Sequence, residues 1–132
     1  MLCGNSPVAW FSRTQKCVTL STTEAEYVAM GDGVKEALFI RGIIEFLSPG
    51  KELGSIRVFE DNEGAIALAE NPISSSNSKH IDVRHHFLRE LVEKETISIE
   101  HVDSEEQHAD ILTKALPREK FKVHRDFLLG IE

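Results

Sequence analysis

Ser55-Ile56-Arg57-Val58-Phe59-Glu60-Asp61-Asn62-Glu63-Gly64-Ala65-Ile66-Ala67-Leu68-Ala69-Glu70-Asn71-Pro72 decides the fold class. Its first six residues are rich in β-branched and aromatic side chains, which predicts a strand from Ser55 to Glu60. Asp61 or Asn62 then caps a short helix through about Glu70, and Asn71-Pro72 stops it. Downstream, Ile73 to Ser78 reads as a Ser-rich loop. A helix from about Ile81 to Lys94 follows, with Ile81, Phe87, Leu88, Leu91 and Val92 inward, and then a strand from Thr96 to Val102. Two strands joined by helical crossovers predict an α/β fold with a mostly parallel sheet.

Upstream, Ser21, Thr22 and Thr23 are all candidate N-caps, and Glu24 lies three residues after Ser21, as a capping box requires. The helix is expected from about Thr23 to Leu47, with Ala29, Gly33, Ala37, Ile40, Ile44 and Leu47 continuing the face that begins at Glu26. Gly31 and Gly33 cost about 1 kcal/mol each relative to Ala, so close packing on a neighbour is expected there. Before it, Pro7 to Ser12 reads as a strand, Arg13 to Lys16 as a turn, and Cys17 to Leu20 as a second extended run. After Val102, Asp103 or Ser104 is expected to cap a helix through Leu112, and Pro117 to open a last one to Leu129, closed by Gly130.

The 132 residues are those of one ordinary domain, with 41% hydrophobic and 28% charged side chains. No apolar run approaches the roughly 20 residues of a membrane-spanning helix, and the N-terminus carries no secretory pattern. An intracellular setting, cytoplasmic or nuclear, is expected. Two cysteines, Cys3 and Cys17, match neither a disulfide scaffold nor a zinc pattern. The formal charge of −7 is a poor overall field for a polyanion. Basic residues are nevertheless gathered at Lys114, Arg118, Lys120, Lys122 and Arg125, and again at Lys79, Arg84 and Arg89 with His80, His85 and His86. These groups suit nucleic-acid phosphates, and solvated helix faces explain them equally well.

Three acids occupy three separate segments: Glu26 at the start of the long helix, Asp61 at a strand end, and Asp110 beyond the last strand. Ligands in open α/β sheets gather at the carboxyl ends of strands. Magnesium or manganese prefers carboxylate oxygens, and two such ions about 3.5–4 Å apart support phosphodiester hydrolysis. Each acid also has a plain structural reading, as a first-turn acid, a cap or a solvated helix residue.

The stretches Leu20 to Met30 with Val34-Lys35-Glu36-Ala37, Phe59 to Pro72, Lys79 to Glu90 and Gln107 to Pro117 together resemble the ribonuclease H domain of copia-type LTR retrotransposon polyproteins. They run in the family's order and cover nearly the whole chain. The resemblance implies a ribonuclease H-like mixed sheet with flanking helices. It implies Glu26, Asp61 and Asp110 as catalytic, metal-holding carboxylates, Mg2+ or Mn2+ as cofactor, and cleavage of the RNA strand of RNA–DNA hybrids. Lys79, Arg84, Arg89 and Lys114 are the expected nucleic-acid contacts, made to backbone and 2′-hydroxyls.

One departure stands out. The family's first strand and its aspartate have no counterpart here, and no acidic residue occurs before Glu24. The expectation is an N-terminally truncated domain, 1–132, with an incomplete carboxylate site. Exposed strand edges then predict a rearranged sheet, with Pro7–Ser12 in the vacancy, or a strand-paired homodimer. Asp103 is the best substitute acid. Glu60 is expected on the opposite strand face from Asp61, and Asp32 lies off the Glu26 helix face. His108, two residues before Asp110, is expected to be a surface imidazole, with assistance to proton transfer as the alternative. Two function classes follow: a hybrid-specific ribonuclease with weak or no activity alone, or a non-catalytic nucleic-acid- or protein-binding remnant.

Overall fold

The computed structural model describes residues 1–16, 18–19, 21–71 and 79–131, and of residues 79–85 the backbone alone. The readings that fall on Cys17, Leu20, Pro72 and the 73–78 loop, and on the side chains of Lys79, Ile81 and Arg84, lie outside the described residues. The chain forms two compact units. One is continuous, Cys17–His101. The other is split, joining Met1–Lys16 to Val102–Glu132. Four α-helices and two small sheets among the described residues make a mixed α/β structure, compatible with the fold the resemblance implies.

The continuous unit opens with α1, Thr22–Leu47. Ser21 Oγ accepts from the Glu24 N–H at 3.1 Å, the cap its sequence advertises. β3, Ile56–Glu60, follows; Asn62 then caps α2, Glu63–Glu70, by accepting from the Ala65 N–H at 3.0 Å. α3 spans Lys79–Glu93 and β4 spans Ile97–His101. β3 and β4 pair in parallel from Ile56↔Ile97 to Glu60↔His101, so the expected parallel pairing holds for these two strands. Arg41 fixes the approach to β3 by donating to the carbonyls of Leu53 and Gly54, both at 3.0 Å.

Its core is Tyr27, Met30, Val34, Ala65, Ala69, Leu88 and Ile97, with Leu38, Ile56, Val58, Leu68, Phe87, Leu91, Val92 and Ile99 packed around them. Ala65 and Ala69, one turn apart, are fully buried and let α2 lie close against its neighbours. The inward face of α1 differs from the expected one. Tyr27, Met30 and Val34 are buried, whereas Ala29 is exposed. The large apolar side chains set the face, because burying them removes far more surface from water than burying Ala or Gly. Gly31 is buried against a neighbour, where a Cβ would make ordinary van der Waals contact with Leu88 Cδ1 at 3.8 Å, whereas at Gly33 it would meet nothing within 4 Å.

The split unit begins with a minimal antiparallel hairpin, β1 Leu2–Cys3 against β2 Ser6–Pro7, turned at Gly4 with φ of 61°. The expected Pro7–Ser12 strand is therefore cut to its first residue. Its partner β1 is only two residues long; past it the Val8 N–H donates to the Met1 carbonyl and the Met1 ammonium to the Ala9 carbonyl at 2.6 Å, where the chain's N-terminus ends the pairing. The expected Asp103–Leu112 helix is likewise shorter, a single 3-10 turn at His108–Leu112. Gln107 precedes it and supplies no side-chain cap. α4, Arg118–Leu129, ends as expected at Gly130, which is left-handed at φ 62°, with Ile131 N–H returning to the Asp126 carbonyl. No helix among the described residues is long and apolar enough to cross a membrane.

Candidate functional site

Two of the three candidate carboxylates lie in the continuous unit. Glu26 is on the second turn of α1, and Asp61 follows the last residue of β3; both are half-buried. They are brought together by the contact between the N-termini of α1 and α2. Thr23 Oγ1 lies 3.4 Å from Asn62 Oδ1, within hydrogen-bond reach. Gly64 permits this approach: a Cβ there would stand 3.0 Å from both Thr23 Cγ2 and Thr23 Oγ1.

Between them lies a third acid. Glu60 is 6% exposed, and its Oε1 accepts from the Asn62 N–H at 3.0 Å. Burial pushes its carboxyl up to about 7 against the opposing pull of the Asn62 N–H, with repulsion from Glu26 and Asp61 adding to the rise. This corrects the expectation that strand alternation carries Glu60 away from the site. Alternation holds inside β3, where Ile56, Val58 and Glu60 share the inward face. The chain bends at Asp61, and past the bend the rule no longer separates the two residues. An acid at the inward position of the strand, directly before Asp61, was the available signal.

Asp110 belongs to the split unit. It sits in the 3-10 turn with its side chain 14% exposed, and the Lys114 ammonium lies 2.8 Å from both carboxylate oxygens. The proposed nucleic-acid contact Lys114 is thus bound to the proposed metal ligand Asp110. Beside it, His108 is half-buried and not a surface imidazole. Its Nδ1 lies 3.0 Å from Nδ1 of the buried His124, and its ring stacks on Phe127 at 3.6 Å. Burial, and then the neighbouring His124, hold the His108 pKa below its usual value, against the pull of Glu106. Asp103 is exposed, its carbonyl accepting the Glu106 N–H.

Arg89 turns inward. Its Nη2 donates to the Asn71 carbonyl at 3.1 Å, closing the end of α2, and its Nε is buried without a hydrogen-bond partner among the described residues. The buried Tyr27 hydroxyl, pushed up to about 12 by burial, feels the Arg89 charge in opposition. Among the described residues, no group of three or more His, Cys, Asp or Glu side chains is arranged to hold a metal ion. Chemically, the arrangement is a cluster of two half-buried carboxylates and one buried carboxyl at the carboxyl end of a parallel strand pair.

The chain is 38% identical over 121 residues, 92% of its length, to the retrovirus-related Pol polyprotein from transposon TNT 1-94 of Nicotiana tabacum. It is 35% identical over 119 residues to that from transposon RE1, and 38% over 120 residues to that from transposon RE2, both of Arabidopsis thaliana. The matched stretch is 9%, 8% and 8% of these relatives, so the chain spans under a tenth of their length. No protein-family profile matches the chain. No solved structure matches it either. By sequence, the chain belongs with the retrovirus-related Pol polyproteins of transposons, as a short segment of that family.

Proposed function

We propose that the chain is a retroelement-derived ribonuclease H-like domain, related to metal-dependent endonucleases that cleave RNA in RNA–DNA hybrids, with weak or no cleavage by this chain alone. The observation that carries the reading is the convergence of Glu26 and Asp61 on Glu60 at the carboxyl end of β3. That is where an α/β sheet gathers the groups that act on a ligand. It lies in a segment whose motifs run in the order of the family it resembles.

Magnesium or manganese would have to be held by Glu26, Asp61 and Asp110. Of these, Glu26 and Asp61 belong to the continuous unit and Asp110 to the split one, and within the continuous unit two of the expected ligands are present, fewer than a two-ion site uses. A second reading, a domain that binds nucleic acid without cleaving it, is favoured by one contact: Asp110 already has its charge answered by Lys114.

Cleavage of an end-labelled RNA–DNA hybrid in magnesium or manganese, beside Asp61→Asn, tests both. Slow cleavage by the parent chain that disappears in Asp61→Asn supports the enzyme. Hybrid retention on a gel with no cleavage by either protein supports the binding domain. Neither cleavage nor retention, by protein that is folded by circular dichroism, refutes both.

A further inference from the structure

We propose that residues Trp10 to Lys16 form a docking surface for single-stranded nucleic acid, on which a base stacks against Trp10 while Arg13 and Lys16 meet phosphates. The reading goes beyond hybrid cleavage and stands if that activity fails.

Trp10 is 69% exposed and Phe11 37%. A large, flat apolar ring left in water invites a partner with a flat apolar face, and every nucleobase has one. The Arg13 guanidinium lies over the Phe11 ring at 4.4 Å from its centroid, so a planar cation is held beside the aromatic pair. Lys16 follows three residues on and is exposed. Among the described residues neither Arg13 nor Lys16 has a carboxylate partner. The first 23 residues contain no acidic side chain.

Charge complementarity selects the occupant. The net −7 of the chain resides in the continuous unit; in the split unit seven Lys and Arg side chains balance seven Asp and Glu. Four of those acids are already engaged: Glu105 by Lys120, Asp110 by Lys114, Glu119 by Lys122 and Asp126 by Arg125. In the Trp10–Lys16 segment itself a polyanion meets two cations that have no carboxylate partner among the described residues, and the segment contains no acidic residue. A purely apolar partner would leave both cations unused.

The chain has one tryptophan, so intrinsic tryptophan fluorescence reads this surface directly. The probe is a short single-stranded oligothymidylate, with heparin as a polyanion that has no bases. The expected result is quenching by the oligonucleotide and not by heparin. Labelled oligonucleotide should lose affinity at least about fivefold with Trp10→Ala, and much less with Trp10→Phe, which keeps a stacking face. Two phosphate contacts predict that raising salt from about 50 to about 200 mM weakens binding about sevenfold, and Arg13→Ala should cut that to about threefold. Equal quenching by heparin would overturn the proposal, as would binding unchanged in Trp10→Ala. Tryptophan emission that shifts to the blue with protein concentration alone would also overturn it, because a second copy would then cover the ring.

Discussion

Replacing Glu60 by Gln isolates the cost of holding that carboxyl inside the continuous unit. The group sits near 7 instead of 4.5, chiefly because it is buried. Each pH unit of displacement is worth about 1.4 kcal/mol, so carrying the ionised form in the folded chain costs about 3 kcal/mol. The sign follows from where the proton is bound. Below 4.5 both folded and unfolded chains hold it, and the full stability is present. Between 4.5 and about 7 only the folded chain keeps it, so stability falls as pH rises. Above about 7 both have lost it and the deficit is constant. Gln keeps an oxygen able to accept from the Asn62 N–H and cannot ionise. Glu60→Gln should therefore match the parent chain near pH 4 and exceed it by about 3 kcal/mol near pH 8.5. Urea unfolding followed by far-ultraviolet circular dichroism, at a series of pH values, measures the difference. A gap between the two proteins that stays flat with pH, or narrows as pH rises, would refute the reasoning.

Gly33→Ala should raise the urea stability by about 1 kcal/mol, since a Cβ there meets nothing and the helix interior gains a better former. Gly64→Ala should lower it by about 1 kcal/mol, because the new Cβ would press on Thr23 from 3.0 Å and part the two helix N-termini. Leu88→Ala, at a fully buried position, should cost about 2–5 kcal/mol in the same assay. The His108 ring should titrate by nuclear magnetic resonance below its ordinary 6.5. The stability it lends the split unit is then present above 6.5 and lost as pH falls through the folded value; a midpoint at or above 6.5 would contradict this.

Much of the continuous unit was legible because its signals are local. Ser21 and Glu24 mark the start of α1, Asn62 the start of α2, and the β-branched run Ile56–Val58 a strand, each within a few residues of the feature it sets. The inward face of α1 was less legible, because Ala29 and Gly33 continue the Glu26 face at helical spacing yet are too small to set which side turns inward. Tyr27, Met30, Val34 and Leu38, at helical spacing and much larger, carry the core. The 3-10 turn replaced a helix because Asp103 and Ser104 are only candidate caps, and at Gln107 no side-chain cap forms. At the site, Glu26 and Asp61 could be named from motifs, but their meeting depends on Gly64 lying against Thr23, thirty-nine to forty-one residues apart in a contact no local pattern encodes. The Lys114 claim on Asp110 was open to inspection, since the two stand one helical turn apart.

The split unit is written in two places along the chain, with all of Cys17–His101 between its halves. During synthesis residues 1–16 precede all of Cys17–His101, and they wait through that whole unit for Val102–Glu132. Joining the ends of a flexible segment of that length would cost about 4 kcal/mol of chain entropy. A folded insert has already surrendered that freedom. Ordering Cys17–His101 therefore removes freedom that would otherwise oppose pairing of the two halves, and a lesion made wholly within that insert, such as Leu88→Ala, should also loosen the split unit.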